Sequence, residues 1–339
     1  MDSRERVLMA LNLKKPDRPP WIEISFSPLV ASAILKEEFK EEGSGFFPLE
    51  NPQEYREQLK KWIRLAKKIN LDALALKRWG PGFAGEKGPA YSGGTIKSIE
   101  DFRHAISNLP PLIDDTFYKC AKIFIEETKK EGIASSFQTH FGFENTVEGI
   151  GFEDFCYALF ENQELIEAML DFYVDVYTKI IHCFMEFKPD FLTIGDDLAF
   201  GQGPFITPEQ WEKLFYPHFK KIAAEIKCPW VFHTDGNTLP IMESVLNLGM
   251  DGIHPIEPAA MNIKEIKEIY GEKVCLIGNL NMNIIARGTT ADVEEGIKEL
   301  FENVGKNGGW ILSSSNSIDR GANLLNVIAM GKTIDTLCY

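Results

Sequence analysis

Short apolar runs ending in polar residues recur along the chain, separated by stretches whose apolar residues repeat at helical spacing. The runs are 21–25 (WIEIS), 71–80 (LDALALKRWG), 133–142 (IASSFQTHFG), 190–197 (DFLTIGDD), 230–236 (WVFHTDG), 252–257 (GIHPIE), 274–281 (VCLIGNLN) and 309–317 (GWILSSSNS). Among the helical stretches are PQEYREQLKKWIRLAKKIN, FYKCAKIFIEETKKEG and LIEAMLDFYVDVYTKIIHCFMEFKP. Strands alternating with helices predict an α/β fold with a parallel sheet. Eight units of this size predict a closed (β/α)8 TIM barrel, one domain over residues 1–339. A doubly wound open sheet is the alternative, disfavoured because no Gly-rich fingerprint follows the first strand. Residues 80–115 read as an insertion after the second strand, with a small hairpin around Gly93-Gly94. FGQGPFITPEQW predicts a loop running into a helix capped by Thr207, with Pro208 in its first turn.

A barrel of this kind keeps its site where the strands end. Those ends carry Glu23, Lys77-Arg78, His140, Asp196-Asp197, His233 and Asp235, His254 to Glu257, Asn279 to Asn281, and Ser313 to Asn316. His233 and Asp235 lie two residues apart, so on an extended chain they face the same side. Asp196 and Asp197 point to opposite faces, so a regular strand offers one of them to the site. Trp21, Trp79 and Phe200 either clasp an aromatic ring or belong to the core. Asn279 and Asn281 either line the pocket or satisfy backbone at a turn. Ser313, Ser314 and Ser315 show no Ser-His-Asp arrangement and read as small residues that leave room for a ligand.

Composition narrows the function classes. A formal net charge of −14 and a pI of about 5.0 argue against nucleic acid and anionic membranes as partners. The six cysteines form no CxxC pair, no secretory apolar region opens the chain, and no apolar run approaches the ~20 residues of a membrane span. These features read as a reduced, soluble, cytoplasmic protein. The glycines of 80–94 lack nucleotide-loop spacing.

RERVLMALNLKKPDRPPW, TIGDDLAFGQGPFITPEQWEKLFYPHFKKI, FHTDGNTLPIMESVLNLGMDGIHPIE and GGWILSSSNSI together resemble the uroporphyrinogen decarboxylase superfamily. True decarboxylases of that superfamily carry an Arg-rich motif after the first strand. This chain has WIEISFSPLVASAILKEEF there, without arginine, which leaves an octa-carboxylate poorly neutralised. The other branch holds zinc methyltransferases that exchange methyl groups with corrinoid proteins. Members acting on thiols such as coenzyme M use His-x-Cys at the fifth strand and a late Cys. Here the His is His233, the first Cys position is Asp235, and the late SSSNS has no Cys. The chain is more similar to the methyltransferases of O-demethylase systems, which use two acidic residues and a histidine. That resemblance implies zinc on Asp197, Glu212 and His233, with Asp235 or His254 as general acid. Read from the barrel mouth rather than from the resemblance, the expected substrate contacts are Trp21, Glu23, Trp79, His140, Phe200, Asn279, Asn281 and Ser314. The implied methyl donor is a methoxylated aromatic. The chain has no Asp-x-His-x-x-Gly motif, so the corrinoid (cobalamin) would arrive on a partner protein. A homodimer is compatible with this reading. A metal-free lyase, a thiol methyltransferase and a binding barrel without catalysis are the alternatives.

Overall fold

A computed structural model describes residues 1–40, 48–83 and 93–339. Seven strands form one parallel sheet: β1 (Ala73–Lys77), β2 (Ala134–His140), β3 (Phe191–Gly195), β6 (Trp230–His233), β7 (Gly252–His254), β8 (Cys275–Ile277) and β9 (Trp310–Ile311), in that spatial order. Each falls inside a predicted run. The first run, 21–25, appears only as isolated parallel bridges, Trp21 to Leu312 and Phe26 to Ile318. It nevertheless lies between the first and last strands. Ile22 N donates to Leu312 O at 3.0 Å, Leu312 N donates to Pro20 O at 2.8 Å, and Asp72 N donates to Trp21 O at 2.7 Å. Pro19 and Pro20 lack the N–H that a longer ladder needs.

The helices follow from local sequence. Helix Pro52–Ile69 starts on an Asn51 cap with Pro52 at its first position, and helix Asp115–Glu131 starts on Asp114 and stops at Gly132, whose φ is +70°. Helix Gln163–Phe187 is the longest and buries Leu165, Met169, Tyr173, Val176 and Ile180 against the sheet layer. Thr207 caps its helix as expected, in a capping box with Gln210. What the sequence did not suggest is the short antiparallel pair β4 (Ala199–Phe200) and β5 (Gly203–Pro204) just before it. Residues 84–92, which carry much of the expected hairpin near Gly93-Gly94, lie outside the described residues; Gly93 and Gly94 themselves belong to no strand.

Inside the sheet, Ile22, Ala73, Ala134, Phe191, Val231, Ile277 and Ile311 pack with Val7, Ala10 and Leu11 of helix Ser3–Leu11. This fills the interior from below and leaves a void of only about 10 Å³ beneath the site. Among the described residues no helix is long and apolar enough to cross a membrane.

Candidate active site

The parallel register puts His140, Gly195, His233 and His254 side by side on four neighbouring strands. Three imidazoles therefore share one layer at the C-terminal ends, and Gly195 leaves the space between His140 and His233 open. Above this layer is a cavity of about 270 Å³, lined by Lys77, Trp79, Gln138, His140, Glu144, Asp197, His233, Asp235 and Asn316 among others. His233 and Asp235 both face it, as their spacing predicts.

One wall is a cluster of Asp197, His233 and Asp235, each offering a ligand atom within 4.8 Å of the others. His233 Nε2 is 3.8 Å from Asp197 Oδ1, and Asp235 N donates to that same oxygen at 2.8 Å. Asp235 Oδ2 accepts from Asn316 Nδ2 at 2.6 Å, while Asp235 Oδ1 is buried without a hydrogen-bond partner. Burial pushes the Asp235 carboxyl up to about 6, against the pull of His233. Asp197 is raised too, first by burial and then by Glu144, with His233 opposing. A buried carboxylate oxygen without a donor, beside a second carboxylate and an imidazole, is a donor set that fits zinc.

The facing wall carries His140 and Glu144, with Nδ1 and Oε2 3.5 Å apart. Burial pulls His140 down, but Glu144 and Asp196 outweigh it, and the imidazole holds its proton above the usual pH. The Trp79 ring stands edge-on to His140 at 5.3 Å and is half exposed. Lys77 adds a cation to the lining, pushed down to about 8 by burial. Asp196, the other member of the acidic pair, is fully buried behind this wall, with a carboxylate oxygen within 4.8 Å of ligand atoms of both His140 and Glu144. It accepts from the backbone N–H groups of Phe141, Gly142 and Glu144, at the start of helix Phe143–Ile150.

Of the expected site residues, Trp79, His140, Asp197, His233 and Asp235 line the cavity. Glu212 does not join them. Trp211, Leu214 and Phe215 take the buried stripe of its π-helical turn, so Glu212 faces outward into a separate groove with Pro208, Tyr216 and Leu239. His254 is fully buried behind His233, which leaves it no contact with the cavity as a general acid. Trp21, Glu23 and Ser314 are also buried, bound to one another rather than open to a ligand. Asn279 donates to Ile256 O at 2.5 Å, and Asn281 caps helix Met282–Arg287. Phe200 is half exposed on the β4–β5 pair, its ring 5.6 Å from Phe205. Sequence reasoning missed Glu144, and it placed Asn316 at a strand end without giving it a role. Glu144 had a signal in HFGFE, where a helix starting after Gly142 turns it back toward His140 four residues earlier.

The family described as uroporphyrinogen decarboxylase (URO-D) matches residues 143–337, over half of the chain. No curated protein matches the sequence. A methyltransferase from Methanosarcina mazei superimposes with a TM-score of 0.74 over 99% of this chain and 98% of that one, at 17% identity. A B12-independent methionine synthase from Shewanella gives a TM-score of 0.47 at 9% identity, over 66% of this chain and 67% of that one. At such identities the first likeness speaks for the fold.

Proposed function

Because the chain belongs to the uroporphyrinogen decarboxylase family, we propose that it is one of that family's methyltransferases, moving methyl from an O-methyl donor to a Co(I) corrinoid on a partner protein. The donor class is a phenyl methyl ether. We read residues 21–25 as the first strand position of a closed (β/α)8 barrel forming a single domain, with residues around 80–115 inserted after the second strand position. The observation that carries the functional reading is the Asp197, His233 and Asp235 cluster, with its unpartnered Asp235 Oδ1, opening on a cavity edged by Trp79. The fold shared with the Methanosarcina mazei methyltransferase supports it.

Zinc held by these three residues would supply Lewis acidity toward an ether oxygen, the poor leaving group of the reaction. The chain's own side chains do the rest. Trp79, half exposed at the rim, offers a face for an aryl ring. His140, made more basic by Glu144 and Asp196 against the pull of burial, is placed to give a proton to the departing oxygen as methyl passes to Co(I). Gly195, with no side chain, leaves the path between His140 and His233 clear. The decarboxylase alternative is disfavoured by the lining, which among the described residues includes Lys77 and no arginine.

The test is to load the purified protein with zinc, add a Co(I) corrinoid protein and a panel of methoxylated aromatics, and follow methyl-Co(III) absorbance. Methyl transfer that depends on both zinc and the ether is expected. Equal transfer after chelation, or methylation of thiols alone, overturns the reading.

A further inference from the structure

We infer that Glu23, Ser313 and His254 act as an ordered hydrogen-bond relay that fixes His233 in the tautomer whose bare Nε2 faces the cavity. Glu23 Oε1 accepts two protons that cannot be moved, from Trp21 Nε1 at 2.7 Å and Ser314 N at 2.9 Å. Glu23 Oε2 accepts two hydroxyls, Ser314 Oγ at 2.6 Å and Ser313 Oγ at 3.3 Å. A hydroxyl has one proton, so Ser313, having given it to Glu23, can only accept from His254 Nε2, 3.0 Å away. His254 is fully buried, and its Nδ1 lies 2.8 Å from His233 Nδ1. Two ring nitrogens at that distance share one proton. With the His254 proton on Nε2, the shared proton belongs to His233 Nδ1, and His233 Nε2 keeps its lone pair.

That lone pair points to where Asp197 Oδ1 lies, 3.8 Å away, too far for a hydrogen bond to claim it. This is the protonation state a histidine needs to bind a metal, and the partner on its other nitrogen sets it. Glu23 is therefore a positioning residue, three hydrogen bonds from His233. The same chain explains why Glu23, Ser313 and His254, all placed at strand ends by the sequence, are closed to the cavity. The consequence for zinc rests on the functional reading above; the tautomer itself does not.

Glu23→Gln tests the relay. The two immovable donors hold the amide oxygen in the place of Oε1, so the NH2 group faces the serine hydroxyls. Ser313 then turns its proton to His254 Nε2, His254 carries its own on Nδ1, and His233 is forced to protonate Nε2. The readout is long-range 1H–15N correlation on the full, metal-free chain labelled with 15N-histidine at pH 8. The wild type is expected to show His233 as the Nδ1–H tautomer and Glu23→Gln as the Nε2–H tautomer, with zinc affinity falling about 10–100-fold. Ser313→Ala removes only the link and is expected to leave both tautomers of His233 populated. It decides the matter if Glu23→Gln does not fold. An Nε2–H tautomer in the wild type, or no change in either variant, overturns the relay. A tautomer that shifts as described in a protein that takes up no zinc supports the relay and removes the zinc reading instead.

Discussion

Asp72 is the strongest point at which to test how the first segment is held against the sheet. Its carboxylate is fully buried just before β1 and accepts five hydrogen bonds: Ser3 Oγ at 2.7 Å, Arg6 Nη1 at 2.7 Å, Arg18 Nη1 at 2.8 Å, Arg18 Nη2 at 3.2 Å and Trp21 N at 2.9 Å. In Asp72→Ala, Arg6 keeps Asp17 at 2.8 and 2.9 Å. Arg18 keeps only the Pro19 carbonyl at 2.9 Å and Asp335 at 3.5 Å, while remaining buried. The loss therefore falls on a nearly uncompensated buried guanidinium, a change that costs about 3–5 kcal/mol. At an unfolding entropy of ~2.1 cal/mol/K per residue, a chain of this length loses about 4–7 °C of Tm. Differential scanning calorimetry at one fixed scan rate measures it. Trp21 N is two residues from Glu23, so the variant should also disturb the relay to His233 and load zinc less tightly than wild type. A Tm within about 1 °C of wild type would refute the reasoning, because it would mean that Arg18 finds solvent at no cost.

The same geometry sets other outcomes. Asp235→Asn is expected to lose stoichiometric zinc by elemental analysis while keeping the wild-type far-UV circular dichroism; full occupancy would remove Asp235 from the ligand set. Glu212→Ala is expected to keep wild-type zinc content, since Glu212 faces a separate groove, and a loss of zinc would restore the assignment that the resemblance implies. Trp79→Ala is expected to raise the KM for an aryl methyl ether by roughly 2–12-fold, the equivalent of ~0.5–1.5 kcal/mol of ring contact, and an unchanged KM would place the aryl ring elsewhere. Burial holds Glu23 at about 7 and Asp235 at about 6, above their ordinary 4.5 and 3.8. The folded chain thus keeps protons that the unfolded chain releases, and the stability owed to these groups falls as pH rises from about 4 to about 7 and is level above that. Urea midpoints of the metal-free protein should show a smaller fall over that window in the Glu23→Gln, Asp235→Asn double variant, and an identical slope would count against both shifts.

The alternation of apolar runs and helices was enough to locate seven parallel strands, because strands buried on both faces leave unbroken apolar runs. The first run is a strand only in part: it bridges its neighbours at Trp21 and Phe26 without a continuous ladder between, and Pro19 and Pro20 keep the ladder from extending before Trp21. The β4–β5 pair, two residues on each side, is too short to leave a period in the sequence. Within the site, the i, i+2 spacing of His233 and Asp235 reads directly as a shared face. Glu212 rested on resemblance alone, while the pattern Trp211, Leu214, Phe215 in the same stretch already claimed the inward side of that turn.

Depth, unlike face, is not written in a period of two. His233 and His254 occupy equivalent register positions, yet one opens on the cavity and the other is sealed. The difference lies in the loop that leaves each strand. After β7 the chain is tied down by Asn279 Nδ2 donating to Ile256 O and by Gly236 N donating to Glu257 Oε2 at 2.9 Å. After β6 the chain carries Asp235 into the cavity wall, bonded to Asn316 and Asp197. Two asparagines from strand ends thus serve the two histidines differently: Asn279 pins the loop over His254, and Asn316 orients a carboxylate that faces the cavity. A histidine sealed this way, between a ring nitrogen and a serine hydroxyl, keeps no route to substrate. It can still determine the proton of the histidine in front of it, so the loop after β7 is part of the site without touching it.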